Sequence, residues 1–233
     1  MTSPISNSVT SQPIPGGWTR KEVPVGDRRF DLILPADPVE FLNHLENDKG
    51  QEPDDPFWAA LWPAAPITAN LAYAHDWQPG TPALELGCGS GLVGLAALAA
   101  GLDVTFSDVI PTAIELALEN AHRNGFAEAR GQLIDWYQPP DLRFPQILGS
   151  DLIYETRDHA ALLNTLDRLL TDEGHCWLGD PGRSAAQNFY DSAEDRGYSV
   201  RILDAEGQSM RKLVLGQFQL LVLHRGATGA DLS

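Results

Sequence analysis

The sequence predicts an α/β fold in which a doubly wound, seven-stranded, mostly parallel sheet follows a small N-terminal extension made of a hairpin and a helix. From Pro82 onward, apolar strand-like segments alternate with helix-like ones, which is typical of a parallel sheet covered on both faces. A glycine-rich loop from Gly87 to Gly91 joins the first of these strands to a helix of small residues. The last two strands have no helix between them, which predicts an antiparallel hairpin at one edge.

The segments before this sheet have different compositions. Residues 1–17 are rich in Ser, Thr, Pro and Gly and are predicted to form a disordered leader. Residues 18–55 form the extension, in which Trp18 to Pro35 alternates apolar and polar residues around Val25-Gly26-Asp27. That alternation predicts a β-hairpin, and Pro38 to Asp48 predicts a short helix.

Residues 56–233 are predicted to form the main domain. It opens with an apolar, Ala-rich helical stretch, Pro56 to Trp77, in which Pro63 and Pro66 should start or kink a helix. A helix that begins at Pro63 would carry Trp62 toward the glycine-rich loop. The predicted strands are 83–86, 103–107, 131–134, 146–149, 175–179, 198–203 and 212–223, and the predicted helices are 92–100, 112–123, 157–171 and 184–196.

Charge and composition exclude several classes of function. The formal charge of −16, with no cluster of Lys or Arg, argues against binding to nucleic acid. No run approaches the roughly 18 apolar residues of a membrane helix, and the N-terminus lacks the features of a signal peptide. We therefore expect a cytoplasmic protein, a monomer or weak dimer. Its acidic surface either attracts a basic, lysine-bearing protein or simply keeps the chain soluble.

The reactive side chains do not form a metal site or a hydrolase site. Cys88 and Cys176 have no partner at a spacing typical of a disulfide or zinc site, so no metal is expected. No pair of histidines has metal-binding spacing, and no Ser lies in a Gly-x-Ser-x-Gly turn.

The glycine-rich loop predicts a site for the polar part of a cofactor. Glycines at alternate positions allow positive φ and let a ligand approach the main-chain N–H groups. Asp108 follows Gly91 by seventeen residues, at the end of the second strand. A carboxylate there can accept hydrogen bonds from two ribose hydroxyls. The spacing Gly89-x-Gly91-x-x-Gly94 also fits a nicotinamide dinucleotide, so the loop alone leaves both ligands open.

Glu85 favours one of these ligands. It stands two residues before Gly87 and completes an acid-x-Gly-x-Gly-x-Gly pattern, which resembles motif I of the class I S-adenosylmethionine-dependent methyltransferases. A carboxylate at this place repels pyrophosphate and attracts the cationic amino-acid part of S-adenosylmethionine.

Further segments in the same order narrow the resemblance. They are Leu61-Trp62-Pro63, Leu84 to Gly94, Val104 to Asp108, Asp135-Trp136 and Ile147 to Glu155. Together they resemble methyltransferase-like family 16, a group dominated by protein lysine methyltransferases. The resemblance implies a Rossmann-like methyltransferase fold, S-adenosylmethionine as cofactor with S-adenosylhomocysteine as product, and a lysine-bearing protein as partner.

The same resemblance implies roles for individual residues. The predicted cofactor contacts are Trp62 near the adenosine, Glu85, Gly87, Cys88 and Gly89 at the methionine end, Asp108 with Val109 at the ribose, Asp135 and Trp136 at the adenine, and Ser150 at the floor of the pocket. On the acceptor side, Asp151 would orient the amine and Tyr154 would shape the channel. Glu155 is a possible helper, and Arg183 either contacts an acidic element of the substrate or caps a loop.

Three functions follow, of which the first is favoured. It is an S-adenosylmethionine-dependent methyltransferase that acts on a protein lysine. The second keeps the cofactor but has a small-molecule acceptor. The third is a nicotinamide-dependent oxidoreductase or a non-catalytic binding module that shares the fold.

Overall fold

The computed structural model describes residues 9–11, 13–40 and 56–225. The central sheet has eight strands in the order β5-β4-β3-β6-β7-β10-β8-β9. The strands of this sheet are β3 Pro82–Leu86, β4 Asp103–Asp108, β5 Arg130–Leu133, β6 Phe144–Ser150, β7 Leu170–Asp180, β8 Ser199–Leu203, β9 Ser209–Met210 and β10 Gln219–His224. The helices are α1 Ala64–Ala74, α2 Leu92–Ala99, α3 Pro111–Arg123, α4 His159–Leu169 and α5 Ala185–Asp195.

The pairing of the strands confirms the predicted α/β class with a mostly parallel sheet. Neighbours from β5 through β7 pair in parallel. Strand β10 lies between β7 and β8 and is antiparallel to both. The two-residue strand β9, which pairs with β8, adds an eighth strand to the seven predicted.

The last predicted strand, 212–223, was too long. Strand β10 begins only at Gln219. Gly216 has a φ of 74° and donates its N–H to the carbonyl of Gly182, so the chain turns there instead of continuing as a strand. The predicted helix 157–171 was also too long, since β7 begins at Leu170.

The N-terminal hairpin was predicted correctly. Strands β1 Trp18–Val25 and β2 Arg28–Pro35 pair antiparallel around a turn at Gly26 and Asp27. The hairpin packs on α3, where the side-chain amide of Asn120 both accepts from the N–H of Ile33 (2.7 Å) and donates to its carbonyl (3.1 Å).

Part of the segment 1–17 is ordered. Val9–Ser11 form a turn of 3-10 helix, and Val9 is buried against a cluster that includes Ile33 and Leu116. The disorder predicted for this segment is therefore not found at that turn. Of the predicted helix Pro38 to Asp48, residues 38–40 are helical and the remainder lies outside the described residues.

Proline fixes where α1 begins. A 3-10 turn, Pro56–Ala59, comes first, and α1 follows directly after Pro63. Pro66 lies in the first turn of α1, where its missing N–H breaks no hydrogen bond within the helix.

Side chains alternate between the two faces of the sheet and form two main cores. On β7, Trp177 joins the core beneath α1, α2 and α3, whereas Cys176 and Leu178 join the core beneath α4 and α5. Because successive side chains of a strand point to opposite faces, apolar residues at neighbouring positions are buried on both sides. No helix within the described ranges is long and apolar enough to cross a membrane.

The amino-terminal half of β7 carries a histidine whose environment predicts a pH effect on stability. The ring of His175 stacks on His224 with centroids 4.6 Å apart. Burial lowers the pKa of His175, and the neighbouring His224, Arg201 and His75 lower it further, while Glu173 acts in the opposite direction.

Acidification from about pH 7.5 to 5.5 is therefore expected to reduce the free energy of unfolding more in the wild type than in His175→Gln. The unfolded chain takes up this proton near the ordinary pKa of 6.5, and the folded chain does so only at lower pH. Protons thus favour unfolding below that value, and the effect is modest because the ring is only half-buried. Urea unfolding at each pH measures the difference, with the exposed His122→Gln as control. Equal pH dependence in wild type and His175→Gln would contradict the prediction.

Candidate active site

The carboxyl ends of β3, β4, β5 and β6 border a cavity of about 310 Å³. Parallel strands that end at one edge of a sheet bring sequence-distant residues together there. All the predicted cofactor and acceptor residues line this cavity. They are Trp62, Glu85, Gly87, Cys88, Gly89, Asp108, Val109, Asp135, Trp136, Ser150, Asp151 and Tyr154.

The glycine-rich loop needs its glycines. Gly87, Gly89 and Gly91 all have positive φ, between 47° and 81°. A Cβ on Gly87 would lie 2.5 Å from Cδ2 of Leu152, and one on Gly91 would lie 2.9 Å from Cβ of Ala117. Larger residues would strain the backbone and push the loop away from the core, so the loop can keep this path only with glycine.

Asp108 is held at the cavity wall by the loop itself. Its Oδ2 accepts the N–H of Gly89 (3.1 Å), and its Oδ1 accepts the N–H of Ile110 (3.0 Å). A carboxylate oxygen can accept more than one hydrogen bond, so the fixed carboxylate can also accept hydroxyl donors from a ligand. A ribose diol offers such donors.

Glu85, which the sequence predicts to face the cationic part of the cofactor, is deeply buried beside the cavity. The side chain is 3% exposed, and this burial raises its pKa to about 8; the N–H groups of Gly94 and Val93 oppose that shift, and the nearby Asp108 adds to it. Its Oε2 atom makes no hydrogen bond to the described residues. Burial therefore favours the protonated form of Glu85, and Asp108 presents a second carboxylate to a ligand here.

Gly94 makes room for this acid. A Cβ at position 94 would lie 2.5 Å from Oε2 of Glu85 and 2.5 Å from the ring of Phe106. Gly94, the last glycine of the Gly89-x-Gly91-x-x-Gly94 spacing, thus allows α2 to pack closely on the sheet. This role does not distinguish a nicotinamide dinucleotide from S-adenosylmethionine as the ligand.

An aromatic wall closes one side of the cavity. Phe57 lies edge-to-face with Trp62 and with Tyr154, at centroid distances of 5.8 Å and 5.6 Å. The Nε1 of Trp62 donates to the carbonyl of Phe57 (2.6 Å), which fixes the indole. Phe57 was not predicted from the sequence, although an aromatic residue just before Trp62 is a signal that could have identified it.

The loop after β5 forms the opposite rim. Asp135 accepts the N–H of Tyr137 (2.8 Å), and the hydroxyl of Tyr137 donates to Asp158 (2.6 Å). Trp136 is half-buried beside them, with its carbonyl bonded to Thr165. Tyr137 and Asp158 were not predicted from the sequence, because their contact joins segments twenty-one residues apart.

The predicted acceptor-side acid, Asp151, is part of a larger arrangement. Its Oδ1 lies 2.7 Å from a terminal nitrogen of Arg183, and its Oδ2 accepts the N–H of Ala64 (3.0 Å) at the start of α1. Arg183 also pairs with Asp180 (3.3 Å), a fully buried residue that the sequence analysis did not single out. Glu155, named as a possible helper, is exposed and does not line the cavity.

The cavity offers features that fit a nucleoside joined to an amino acid. Aromatic rings can stack on a flat heterocycle, Asp108 can accept two hydroxyls, and the glycine-rich loop leaves main-chain groups open to a polar tail. Among the residues that the structure describes, no group of three or more His, Cys, Asp and Glu side chains could hold a metal ion.

Comparisons with known proteins agree with these features. The sequence model of the lysine methyltransferase family matches residues 54–195. The chain is 37% identical over 122 residues to the protein N-lysine methyltransferase METTL21A of Danio rerio, covering 48% of this chain and 55% of that protein. It is 32% identical over 141 residues to EEF1A lysine methyltransferase 3 of Mus musculus, covering 57% of this chain and 60% of that protein.

A solved structure shares the fold. The TehB-like methyltransferase from Corynebacterium glutamicum superposes with a TM-score of 0.56 at 23% identity, covering 69% of this chain and 88% of that one.

The chain spans 55% to 60% of the length of METTL21A and EEF1A lysine methyltransferase 3.

Proposed function

We propose, because this chain belongs to the lysine methyltransferase family, that it is an S-adenosylmethionine-dependent enzyme that transfers a methyl group to a lysine side chain of a protein. One observation carries the proposal: the family match, residues 54–195, includes every residue that lines the cavity. The site's geometry and the family membership therefore concern the same residues. We further propose that the protein acts in the cytoplasm as a monomer or weak dimer.

The residues around the cavity have complementary roles in this proposal. Asp108 accepts the ribose hydroxyls with Val109 beside it, Trp136 flanks the adenine, and Asp135 accepts its amino group. Trp62 packs near the adenosine, and Ser150 forms the floor. Gly87, Cys88 and Gly89 line the methionine end, and Glu85 lies beneath them.

Bound in this cavity, the cofactor would supply a methyl group on a positively charged sulfur. A bond between the amine nitrogen and the methyl carbon would form as the carbon–sulfur bond breaks, and the electron pair of the broken bond would remain on sulfur as a neutral thioether. The nitrogen must first lose its proton to water, because its lone pair makes the new bond. The protein contributes mainly by holding the two partners in line, so Asp151 and Tyr154 act by orienting the amine.

A radiolabelled methyl donor tests the proposal. Incubating the protein with a cell lysate and S-adenosylmethionine labelled in its methyl group should yield a labelled protein, and mass spectrometry should place the label on a lysine. Label only in small molecules would favour the second function. If NAD rather than S-adenosylhomocysteine raises the melting temperature, the cofactor assignment is wrong.

Two substitutions separate the acceptor side from the cofactor side. Asp151→Asn and Tyr154→Phe are expected to slow methyl transfer at least about tenfold while S-adenosylhomocysteine affinity changes less than about threefold. Asn is preferred to Ala at position 151 because the residue has a φ of 61°, which Asn tolerates better.

Initial rates and calorimetric affinities measure the two effects. Tyr190→Phe, on α5 outside the cavity, is the matched control and should behave as the wild type. Equal losses of transfer and cofactor affinity would refute an acceptor-side role for Asp151 and Tyr154.

A further inference from the structure

Arg183 lies between two buried carboxylates at the edge of the cavity. Its side chain is 24% exposed, whereas those of Asp151 and Asp180 are 3% and 0% exposed. Its two terminal nitrogens each face one of them, at 2.7 Å and 3.3 Å. The guanidinium carbon also lies 5.9 Å from the centre of the Trp62 ring. Both terminal nitrogens of the guanidinium thus face carboxylates of the protein itself.

The arrangement joins three separate elements of the fold. Asp151 follows β6, Asp180 ends β7, and Ala64 begins α1. The Oδ1 of Asp180 accepts the N–H groups of Gly182 and Arg183, both at 2.7 Å, which fixes the turn that carries the guanidinium. Asp151 has left-handed backbone geometry, which persists only where surrounding contacts hold it.

Arg183 also offsets the effect of burial on its partner. Burial raises the pKa of Asp151, and the negative Asp180 raises it further. Against these, Arg183 acts through both its hydrogen bond and its charge, and the N–H of Ala64 adds a smaller effect in the same direction. Removal of the guanidinium would therefore leave two buried carboxylates side by side, and such a pair takes up a proton.

We propose that Arg183 is a positioning residue for the acceptor side: it holds the Asp151 carboxylate against the cavity wall as the fixed, negatively charged group that an acceptor amine meets. The inference rests on the proposed function. It makes the acceptor-side unit Asp151 together with Arg183 and Asp180, rather than Asp151 alone. Arg183 acts through Asp151 and is not itself a catalytic residue.

Two ligands test the inference without an acceptor protein. S-adenosylhomocysteine probes the cofactor site alone. Sinefungin has the same frame but carries a primary amine on the carbon that replaces sulfur, so it also presents an amine on the acceptor side. Calorimetry at several values between about pH 6 and 8.5 gives the ratio of the two affinities, which isolates the contribution of the amine.

Arg183→Gln is expected to change S-adenosylhomocysteine affinity less than about threefold. The preference for sinefungin should fall at least about tenfold at the acidic end of this range and recover toward its alkaline end, as Asp151 loses its proton. Arg183→Lys keeps the charge but cannot bridge two carboxylates. Its preference for sinefungin should therefore fall by less than that of Arg183→Gln, and the loss should not depend on pH. Arg157→Gln is the control: it removes the charge of an exposed arginine that pairs with Asp158, and it should match the wild type.

An unchanged ratio in Arg183→Gln at every pH would overturn the inference, as would an equal loss of affinity for both ligands. If Arg183→Gln does not fold, an Arg183→Lys ratio equal to that of the wild type overturns it. Failure of the wild type to bind S-adenosylhomocysteine would instead overturn the proposed function.

Discussion

Asp108→Ala is expected to weaken S-adenosylhomocysteine binding at least about 100-fold. The carboxylate lines the cavity, and its loss removes the acceptors for two ribose hydroxyls, each worth about 1.5 kcal/mol or more as a charge-assisted hydrogen bond. The substitution also removes the acceptor for the N–H groups of Gly89 and Ile110. We therefore expect a looser glycine-rich loop and a melting temperature lower by a few degrees.

Calorimetric titration measures the affinity, and circular dichroism checks that the variant is folded. Asp103→Ala is the matched control, because Asp103 begins the same strand and pairs with Arg130 at the amino ends of the strands, away from the cavity. Asp108→Asn retains one acceptor oxygen and should lose less affinity than Asp108→Ala. A folded Asp108→Ala variant with wild-type affinity would contradict the assignment of this residue to the ribose.

Gly179→Ala is expected to reduce the free energy of unfolding by about 3 kcal/mol, at the upper end of the usual cost of overpacking. Gly179 is buried in β7 beneath α1, and an added Cβ would lie only 1.8 Å from Oγ1 of Thr68. Thr68 is itself fully buried and donates to the carbonyl of Ala64 (2.8 Å), so it cannot swing out to solvent. Either α1 or β7 must move.

The double variant Gly179→Ala/Thr68→Ala should recover part of the lost stability, since it removes the atom nearest the new methyl group. Urea unfolding of the two single variants and the double variant gives the interaction free energy directly. If the two single effects simply add, the clash with Thr68 is not the cause of the destabilisation.

The sequence was sufficient for the elements whose signals are local. The alternation of strands and helices, the hairpin before Pro35, and the break at Pro63 all depend on neighbouring residues. The convergence of Asp108, Asp135 and Asp151 at one cavity also followed from the sequence, because each ends or follows a parallel strand. Sheet geometry then brings their side chains together without further information.

Features that depend on distant contacts were not predictable in the same way. The insertion of β10 between β7 and β8 is a pairing choice that no local pattern indicates. The pairing of Arg183 with Asp151 joins residues thirty-two positions apart, although Asp180 at the end of β7 marks the same edge of the sheet. The raised pKa of Glu85 comes from its burial under the glycine-rich loop, which composition does not show.

The place of β10 has a consequence for synthesis on the ribosome. Strands β8 and β9 reach the rest of the sheet only through β10, which is made after both. Until β10 has been synthesised, one edge of β7 therefore has no strand paired to it, including at Trp177 and Leu178, which pair with β10 in the folded protein. The sheet is complete only when β10 pairs with β7 and β8. A chain truncated before Gln219 would therefore expose an unpaired strand edge and be prone to aggregate.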